Sequence, residues 1–312
     1  MTDSNRTAYV FPGQGSQKVG MGCDLYDNFE SARAVFFEAD KTLGFPISKL
    51  CFEGPEEELR QTINAQPALV TVSYACYRAA ISVAGDGKIL APSFLAGHSL
   101  GEYTALAVAG VLDFSTAVYL ARERGRLMYE AGQKHPGSMA AVLGMEESAV
   151  SALCDETGTC LANVNCPGQL VISGPEENIE KAVALATSRG AIRALSLQVS
   201  GAFHSPLMQP AVDSLSGIIS RLTFNNPSVP VVANTTALPL TQADDIKDEL
   251  INQLCHSVQW QRSIEYMVHS GVDTFVEIGA GKVLAGLIKR INRNVKILNI
   301  GELSELDNIV EK

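Results

Sequence analysis

The sequence predicts an α/β fold with a parallel-sheet core, interrupted by a smaller unit of β-α-β-β-α-β order. Three observations predict it. Short apolar runs end at Gly or Pro and alternate with stretches of helical periodicity, the pattern of strands covered on both faces by helices. Hydrophobic residues fill 46% of the positions and charged residues 19%, which buries a large core and excludes a disordered chain. The length of 312 residues fits one large domain or two smaller ones.

Each element follows in order. Residues 8–11 form a short apolar strand that stops at Pro12-Gly13. Helical stretches follow, broken at Gly44-Phe45-Pro46 and Gly54-Pro55. Residues 66–84 read as a long apolar helix, 93–96 as a buried strand and 100–109 as a helix of small residues. Residues 114–131 read as an amphipathic helix. Near Gly132 the pattern changes. Strands at 139–143, 161–164, 169–173 and 192–199, with helices at 146–156 and 176–189, give the split βαβ, ferredoxin-like order. No Gly-rich linker flanks this unit, so it reads as an insertion: residues 133–202 within a large domain made of 1–132 and 203–312. The large domain resumes with a strand at 229–234, a helix at 244–254 and a strand at 274–278. There are no internal repeats.

Charge narrows the function. The chain carries 24 Lys and Arg against 34 Asp and Glu, a net charge of −10. That excludes a general nucleic-acid binder, which needs a basic footprint, and a polybasic membrane-surface protein. The longest apolar stretches, such as 104–112, fall far short of the roughly 20 residues that a bilayer requires. The N-terminal run MTDSNRTAYVFPG has no apolar core, so no secretory leader is expected and the cytoplasm is the expected location. The cysteines number 7, an odd count without a C-x-x-C pair, which points to small buried hydrophobes and to neither a disulfide framework nor a metal site.

The sharpest local signal is Gly97-His98-Ser99-Leu100-Gly101, a G-x-S-x-G motif with a strand before it and a helix after it. A strand that reverses into a helix raises the central hydroxyl above the sheet, beside the free N–H groups of the helix start. Gly97 and Gly101 lack side chains that would collide across such a turn. Ser99 is therefore the candidate nucleophile, and it needs a base and an oxyanion site. His98 adjoins it but points elsewhere at such a turn. His135, His256 and His269 default to structural roles. His204, in Gly201-Ala202-Phe203-His204-Ser205 where the inserted unit closes, can reach back over the sheet; the pattern alone leaves it open. No Asp or Glu stands out as a third member, so a carbonyl is a candidate for orienting the imidazole.

A second signal lies in the helix at 114–131. At 100° per residue, Ala117, Leu120, Ala121, Leu127, Met128 and Ala131 share a face, and Arg124 falls in the middle of it. Arg122, Glu123, Arg126 and Glu130 fall outside it. A guanidinium aimed at the core must find an anion. Either a buried Asp or Glu supplies it, or Arg124 waits for a substrate carboxylate and grips it with two parallel hydrogen bonds.

These motifs together resemble the malonyl-CoA:acyl carrier protein transacylases, the fatty-acid synthesis acyltransferases related to acyltransferase domains of polyketide synthases. The resemblance runs nearly end to end. It rests on Phe11-Pro12-Gly13-Gln14-Gly15-Ser16-Gln17, on the Ser99 motif continued by Glu102-Tyr103, on Arg124-Gly125, on Gly201 to Ser205, on Val258-Gln259-Trp260 and on Glu277-Ile278-Gly279-Ala280-Gly281. It implies a large α/β-hydrolase-like domain interrupted by the small ferredoxin-like one. It implies that Ser99 is acylated, that His204 is its base, and that the backbone N–H groups of Gln14 and Leu100 form the oxyanion hole. Arg124 would bind the malonyl carboxylate, and Gln259 would orient His204 through its carbonyl. Phe203 would favour malonyl over branched acyl groups, and Asn165 and Gln169 would line the pocket. The chain departs from the family pattern in carrying His256-Ser257 before Val258-Gln259-Trp260, which bears on Gln259 alone. The implied partners are malonyl-CoA as substrate and acyl carrier protein, with no nucleic acid, no membrane, no cofactor and no metal, and a monomeric enzyme. A basic stretch holding Lys282, Lys289, Arg290, Arg293 and Lys296, joined by Arg189 and Arg193, is the expected carrier-docking surface. The alternatives are a stand-alone acyltransferase serving a polyketide pathway, a serine thioesterase, and a non-catalytic carrier-binding subunit.

Overall fold

The computed structural model describes residues 6–85 and 89–310. Residues 1–5, part of the N-terminal run read above for a leader, lie outside the described residues. The strands are β1 (Arg6–Phe11), β2 (Pro92–Gly97), β3 (Gly137–Leu143), β4 (Cys160–Cys166), β5 (Gln169–Pro175), β6 (Arg193–Ser196), β7 (Val231–Val232), β8 (Pro239–Leu240), β9 (Val272–Ile278) and β10 (Lys296–Ile300). The helices are α1 (Cys23–Asn28), α2 (Glu30–Leu43), α3 (Ile47–Glu53), α4 (Glu56–Arg60), α5 (Thr62–Ala84), α6 (Gly101–Val108), α7 (Phe114–Lys134), α8 (Glu147–Thr157), α9 (Glu176–Ser188), α10 (Gln209–Ile219), α11 (Ala243–Asn252), α12 (Trp260–His269) and α13 (Val283–Ile291).

Two sheets organise the chain. The larger has the order β10-β9-β1-β2-β7-β8. Its strands pair in parallel except for β8, which folds back on β7 at the edge. β1 and β2 are central and read as unbroken apolar runs because helices cover both faces. One face packs on α5 and α6, with α7 packed behind them, and the other on α12 and α13 around Trp260 and Phe275. The smaller sheet has the order β4-β5-β3-β6 and every pairing in it is antiparallel. With α8 and α9 on one side it forms its own core around Val142, Leu153 and Ile172. This spatial order is that of a split βαβ unit.

The two parts of the chain meet along β4, which packs on α12 and α13 and bridges to the segment before α12. Val164 donates its N–H to Val258 O at 2.9 Å, and Val258 donates to Ala162 O at 2.9 Å. Two expected strands are shorter than their apolar patterns. Residues 197–199 leave β6 to line the cleft between the sheets, and β7 stops before Asn234, whose side chain turns to the serine motif.

Candidate active site

β2 ends at Gly97 and α6 begins at Gly101, so the chain reverses within three residues. Ser99 sits in the left-handed region with φ 49°, a conformation that non-glycine residues seldom adopt. The flanking glycines make this possible. A Cβ on Gly97 would lie 1.9 Å from the Gly101 carbonyl carbon, and one on Gly101 would lie 2.0 Å from Phe11 O. The amide of Asn234 fastens the turn: its Oδ1 accepts from Ser99 N–H at 2.8 Å and its Nδ2 donates to Gly97 O at 2.9 Å.

His204 stands opposite, also in the left-handed region with φ 56°. Its Nε2 lies 2.8 Å from Ser99 Oγ, and its Nδ1 lies 2.8 Å from Gln253 O. A carbonyl can only accept, so Nδ1 carries the proton and Nε2 of the neutral ring is left as an acceptor for the serine. Burial lowers the His204 pKa to about 3, with the Arg124 charge as the next cause. The ring is therefore neutral around pH 7, the state a general base requires.

Arg124 projects from α7 into the same space and is buried to 1% exposure. Its Nη1 donates to Gln66 Oε1 at 2.7 Å, and its Nη2 to Gln253 Oε1 at 2.7 Å and Ser99 Oγ at 3.0 Å. Nε has no acceptor among the described residues. Every acceptor found is a neutral amide or hydroxyl oxygen. Of the two readings of Arg124, a buried ion pair is thus not the one the geometry provides. Burial pulls its pKa down, opposed by Tyr103 and Glu102, yet a guanidinium keeps its charge. The two other arginines of α7 are engaged elsewhere. Arg126 pairs with Glu123 and Glu130, and Arg122 donates to Ile63 O and stacks on Phe45.

These groups open on a cleft of about 490 Å³ between the two sheets. Gln14 and Leu100 line it beside Ser99, and neither backbone N–H has a protein acceptor among the described residues. The Gln14 side chain is held back by Thr62 Oγ1 at 2.9 Å. Phe203, Asn165 and Gln169 line the walls. Asn165 Oδ1 lies 2.8 Å from His98 Nε2, and the His98 ring packs edge-on to Trp260, which turns it away from the serine.

One expected contact is corrected. Gln259 does not orient His204; Gln253 does. The carbonyl of Gln259 opens α12 and accepts from Ser263 N–H at 2.9 Å, while its own N–H is bonded to Asn234 O at 2.7 Å. Both backbone groups are committed to starting a helix. Gln253 follows directly on α11, where a helix end leaves carbonyls without internal partners. Residues that sequence reasoning missed are Gln253, Gln66, Asn234, Glu102 and Glu249. One signal was available: Gln66 is a lone amide at the head of an apolar helix. Glu102 and Glu249 are both buried. Burial raises the pKa of each; at Glu102 the charge of Glu249 adds to this, and donors from Asn234 and Gln253 oppose it.

Comparison with known proteins now has a geometry to meet. The acyl transferase domain model matches residues 8–300. A malonyl CoA-acyl carrier protein transacylase of Bacillus subtilis (strain 168) is 46% identical over 303 residues, 96% of this chain and 94% of that one. One of the same description from Escherichia coli (strain K12) is 46% identical over 288 residues, 91% of this chain and 92% of that one. Among solved structures, an acyl carrier protein S-malonyltransferase from Vibrio cholerae superposes with a TM-score of 0.93 at 40% identity, covering 98% of this chain and 100% of that one. A malonyl-transacylase in complex with its type II polyketide synthase acyl-carrier protein gives 0.94 at 39% identity, covering 98% and 99%. With a family model that spans both sheets and relatives matched over nearly the whole chain, the chain belongs to the acyl transferase domain family as a relative of the malonyl CoA-acyl carrier protein transacylases.

Proposed function

We propose that this acyltransferase moves the malonyl group of malonyl-CoA to the phosphopantetheine thiol of acyl carrier protein, through an ester on Ser99. One observation carries the reading. Arg124 is a buried cation without an anionic partner among the described residues, and it donates directly to the hydroxyl that would carry the acyl group. Once Ser99 Oγ is esterified, a carboxylate one methylene from the acyl carbonyl can take its place as acceptor on Arg124. A thioesterase for uncharged acyl chains gives no reason to bury that charge.

The steps follow from the geometry. His204 Nε2 takes the Ser99 proton as Oγ attacks the thioester carbonyl, and the N–H groups of Gln14 and Leu100 receive the oxyanion. The intermediate collapses, the C–S bond breaks, and His204 returns the proton to the departing CoA sulfur. The carrier thiol then gives its proton to His204 and attacks the ester, and Ser99 regains its hydrogen. Side chains and backbone donors supply each step, and no cofactor or metal enters it. Arg124 holds the free carboxylate throughout. Phe203 closes the wall where a branched acyl group would need room.

The assignment to fatty-acid synthesis in the cytoplasm rests on the relatives and on the chain itself. No helix among the described residues is long and apolar enough to cross a membrane. We also propose the division into a large domain of residues 1–132 and 203–312 and a small one of 133–202, supported by the separate sheets and cores. The carrier is proposed to dock along residues 279–299. Within that stretch Lys282 is paired with Glu305, Lys289 donates to Val295 O, and Arg290 donates to Gln169 Oε1 at the cleft. Arg293 and Lys296 are exposed. Arg293→Glu with Lys296→Glu should raise KM for the carrier and leave that for malonyl-CoA unchanged.

Intact-mass measurement after mixing with malonyl-CoA tests the main reading. A malonyl adduct absent from Ser99→Ala and discharged by a carrier thiol is the expected result. Release of malonate at the rate of adduct formation would instead mark a hydrolase, and no adduct at all would leave only carrier binding.

A further inference from the structure

Three residues beyond Ser99, in the first turn of α6, Glu102 is buried to 1% exposure. It touches neither the cleft nor Arg124. Its Oε1 accepts from the backbone N–H of Asn234 at 3.2 Å, and its Oε2 accepts from Gln253 Nε2. Those two residues hold the rest of the site. Asn234 fastens the Ser99 turn. Gln253 Nε2 also donates to Ser99 O at 3.1 Å, its Oε1 accepts from Arg124, and its backbone carbonyl accepts from His204.

A side-chain amide can sit either way round, and only its neighbours decide which end faces where. For Gln253 the choice has a consequence. One orientation puts an oxygen on Arg124; the other puts an NH2 donor against a guanidinium that can only donate. Two acceptors face Nε2, the Ser99 carbonyl and the Glu102 carboxyl, and of the two only the Glu102 side chain can be turned into a donor by substitution.

We propose that Glu102 is a positioning and specificity residue of the transfer reaction, acting through Gln253 to keep an acceptor on Arg124 and so to hold the guanidinium where it meets the acyl carboxylate. The inference rests on the reading of Arg124 as the malonyl-binding group. It predicts an asymmetry between substrates. Glu102→Gln keeps the shape but offers one acceptor where two are needed. The Asn234 N–H is fixed by the main chain and retains that acceptor. The new NH2 group then faces Gln253, whose amide turns over and sets its own NH2 against Arg124.

The test compares malonyl-CoA with acetyl-CoA, which lacks the carboxylate, in wild type and in Glu102→Gln. The KM for malonyl-CoA should rise about tenfold to a hundredfold, the effect of losing one hydrogen bond to a charged group. The kcat/KM for acetyl-CoA should stay within about threefold, since the Ser99–His204 contact and the bond from His204 to the Gln253 backbone carbonyl do not depend on which way the amide faces. A folded variant with an unchanged malonyl-to-acetyl ratio, or with equal losses on both, overturns the proposal and leaves Glu102 a structural residue. Should Glu102→Gln fail to fold, the swap Glu102→Gln with Gln253→Glu decides. It keeps one carboxylate and one amide in the pair but lays the carboxylate on Arg124. Malonyl transfer should then fall more than acetyl transfer, and equal effects again overturn the idea. The wild-type adduct on Ser99 is measured alongside: its absence would refute the proposed function, whereas its presence with an unchanged substrate ratio would refute only the role of Glu102.

Discussion

Ser99 and His204 face each other across 2.8 Å, and both occupy the left-handed region, yet they are held by different means. The Ser99 turn is held by exclusion: Gly97 and Gly101 leave no room for any other path between β2 and α6. The His204 loop is held by attachment. Ser205 Oγ donates to Ala202 O at 2.6 Å, and the imidazole donates to a carbonyl 49 residues further on. A turn defined by sterics is written in adjacent residues. A loop defined by a distant carbonyl is not.

Substitution of glycine in each region should break the symmetry most. Gly97→Ala places a methyl group 1.9 Å from backbone that has no freedom to retreat. Loss of soluble folded protein is expected, a cost above about 4 kcal/mol. Gly201→Ala meets its nearest atoms at 3.2 Å and 3.3 Å, the second of them on the Phe203 ring, which can shift. It should fold, with a loss near 1–2 kcal/mol in urea unfolding. Equal losses at the two sites would mean that sterics hold both regions alike.

Arg124 contacts the turn but not the loop, so its removal separates chemistry from position. Arg124→Ala should reduce kcat/KM for malonyl-CoA by about 2–4 kcal/mol, the range for a lost charged pair. Transfer of uncharged acyl groups should suffer less. Unchanged malonyl kinetics would remove Arg124 from the site. Truncating Gln259 should change neither substrate by more than about threefold, because its backbone and not its side chain starts α12. Gln253→Ala keeps the carbonyl that holds His204 and loses the side-chain contacts to Arg124, Ser99 O and Glu102, so an equal loss in Gln259→Ala would place the Gln259 side chain in the site.

The same contrast explains what was legible in the sequence. The serine turn was, because strand, glycines, serine and helix are contiguous and each has a local physical reason. Arg124 was, because helical periodicity placed it on an apolar face. The two sheets were, because one reads as unbroken apolar runs and the other as short strands alternating with helices. The orienting carbonyl was not. Any residue has a carbonyl, so the side-chain letter at position 253 carries no mark of that role. The family pattern pointed to a carbonyl six residues along the chain, and only the path from α11 to α12 shows which one is free. Glu102 and Glu249 escaped for another reason. A buried carboxyl in a helix looks like a surface one until the packing is known, and Glu102 lies within a motif whose serine draws attention first. β7 was overestimated because an apolar run says nothing of where a side chain such as Asn234 must leave the sheet.

A further difference between the two regions concerns pH. Glycine sterics are indifferent to acid, whereas the loop depends on a neutral imidazole. Burial and then Arg124 lower the His204 pKa to about 3 from 6.5. A folded-state pKa depressed in this way favours the neutral ring, so its contribution to stability is present in full above pH 6.5 and is lost as pH falls toward 3. Burial also raises the pKa of Glu102, Glu249 and Glu277, so the measurement is a difference. His204→Asn retains a donor for Gln253 O but cannot titrate. The gap in stability between wild type and His204→Asn should narrow from pH 7 to pH 4, read from urea midpoints. In kinetics the acid limb of kcat/KM should lie well below the ordinary histidine range. It should move upward in Arg124→Ala followed with an uncharged acyl-CoA, because one of the depressing causes is gone. An acid limb at the ordinary histidine value in wild type would mean that the imidazole is solvated, and that attachment to Gln253 does not by itself keep the loop closed over Ser99.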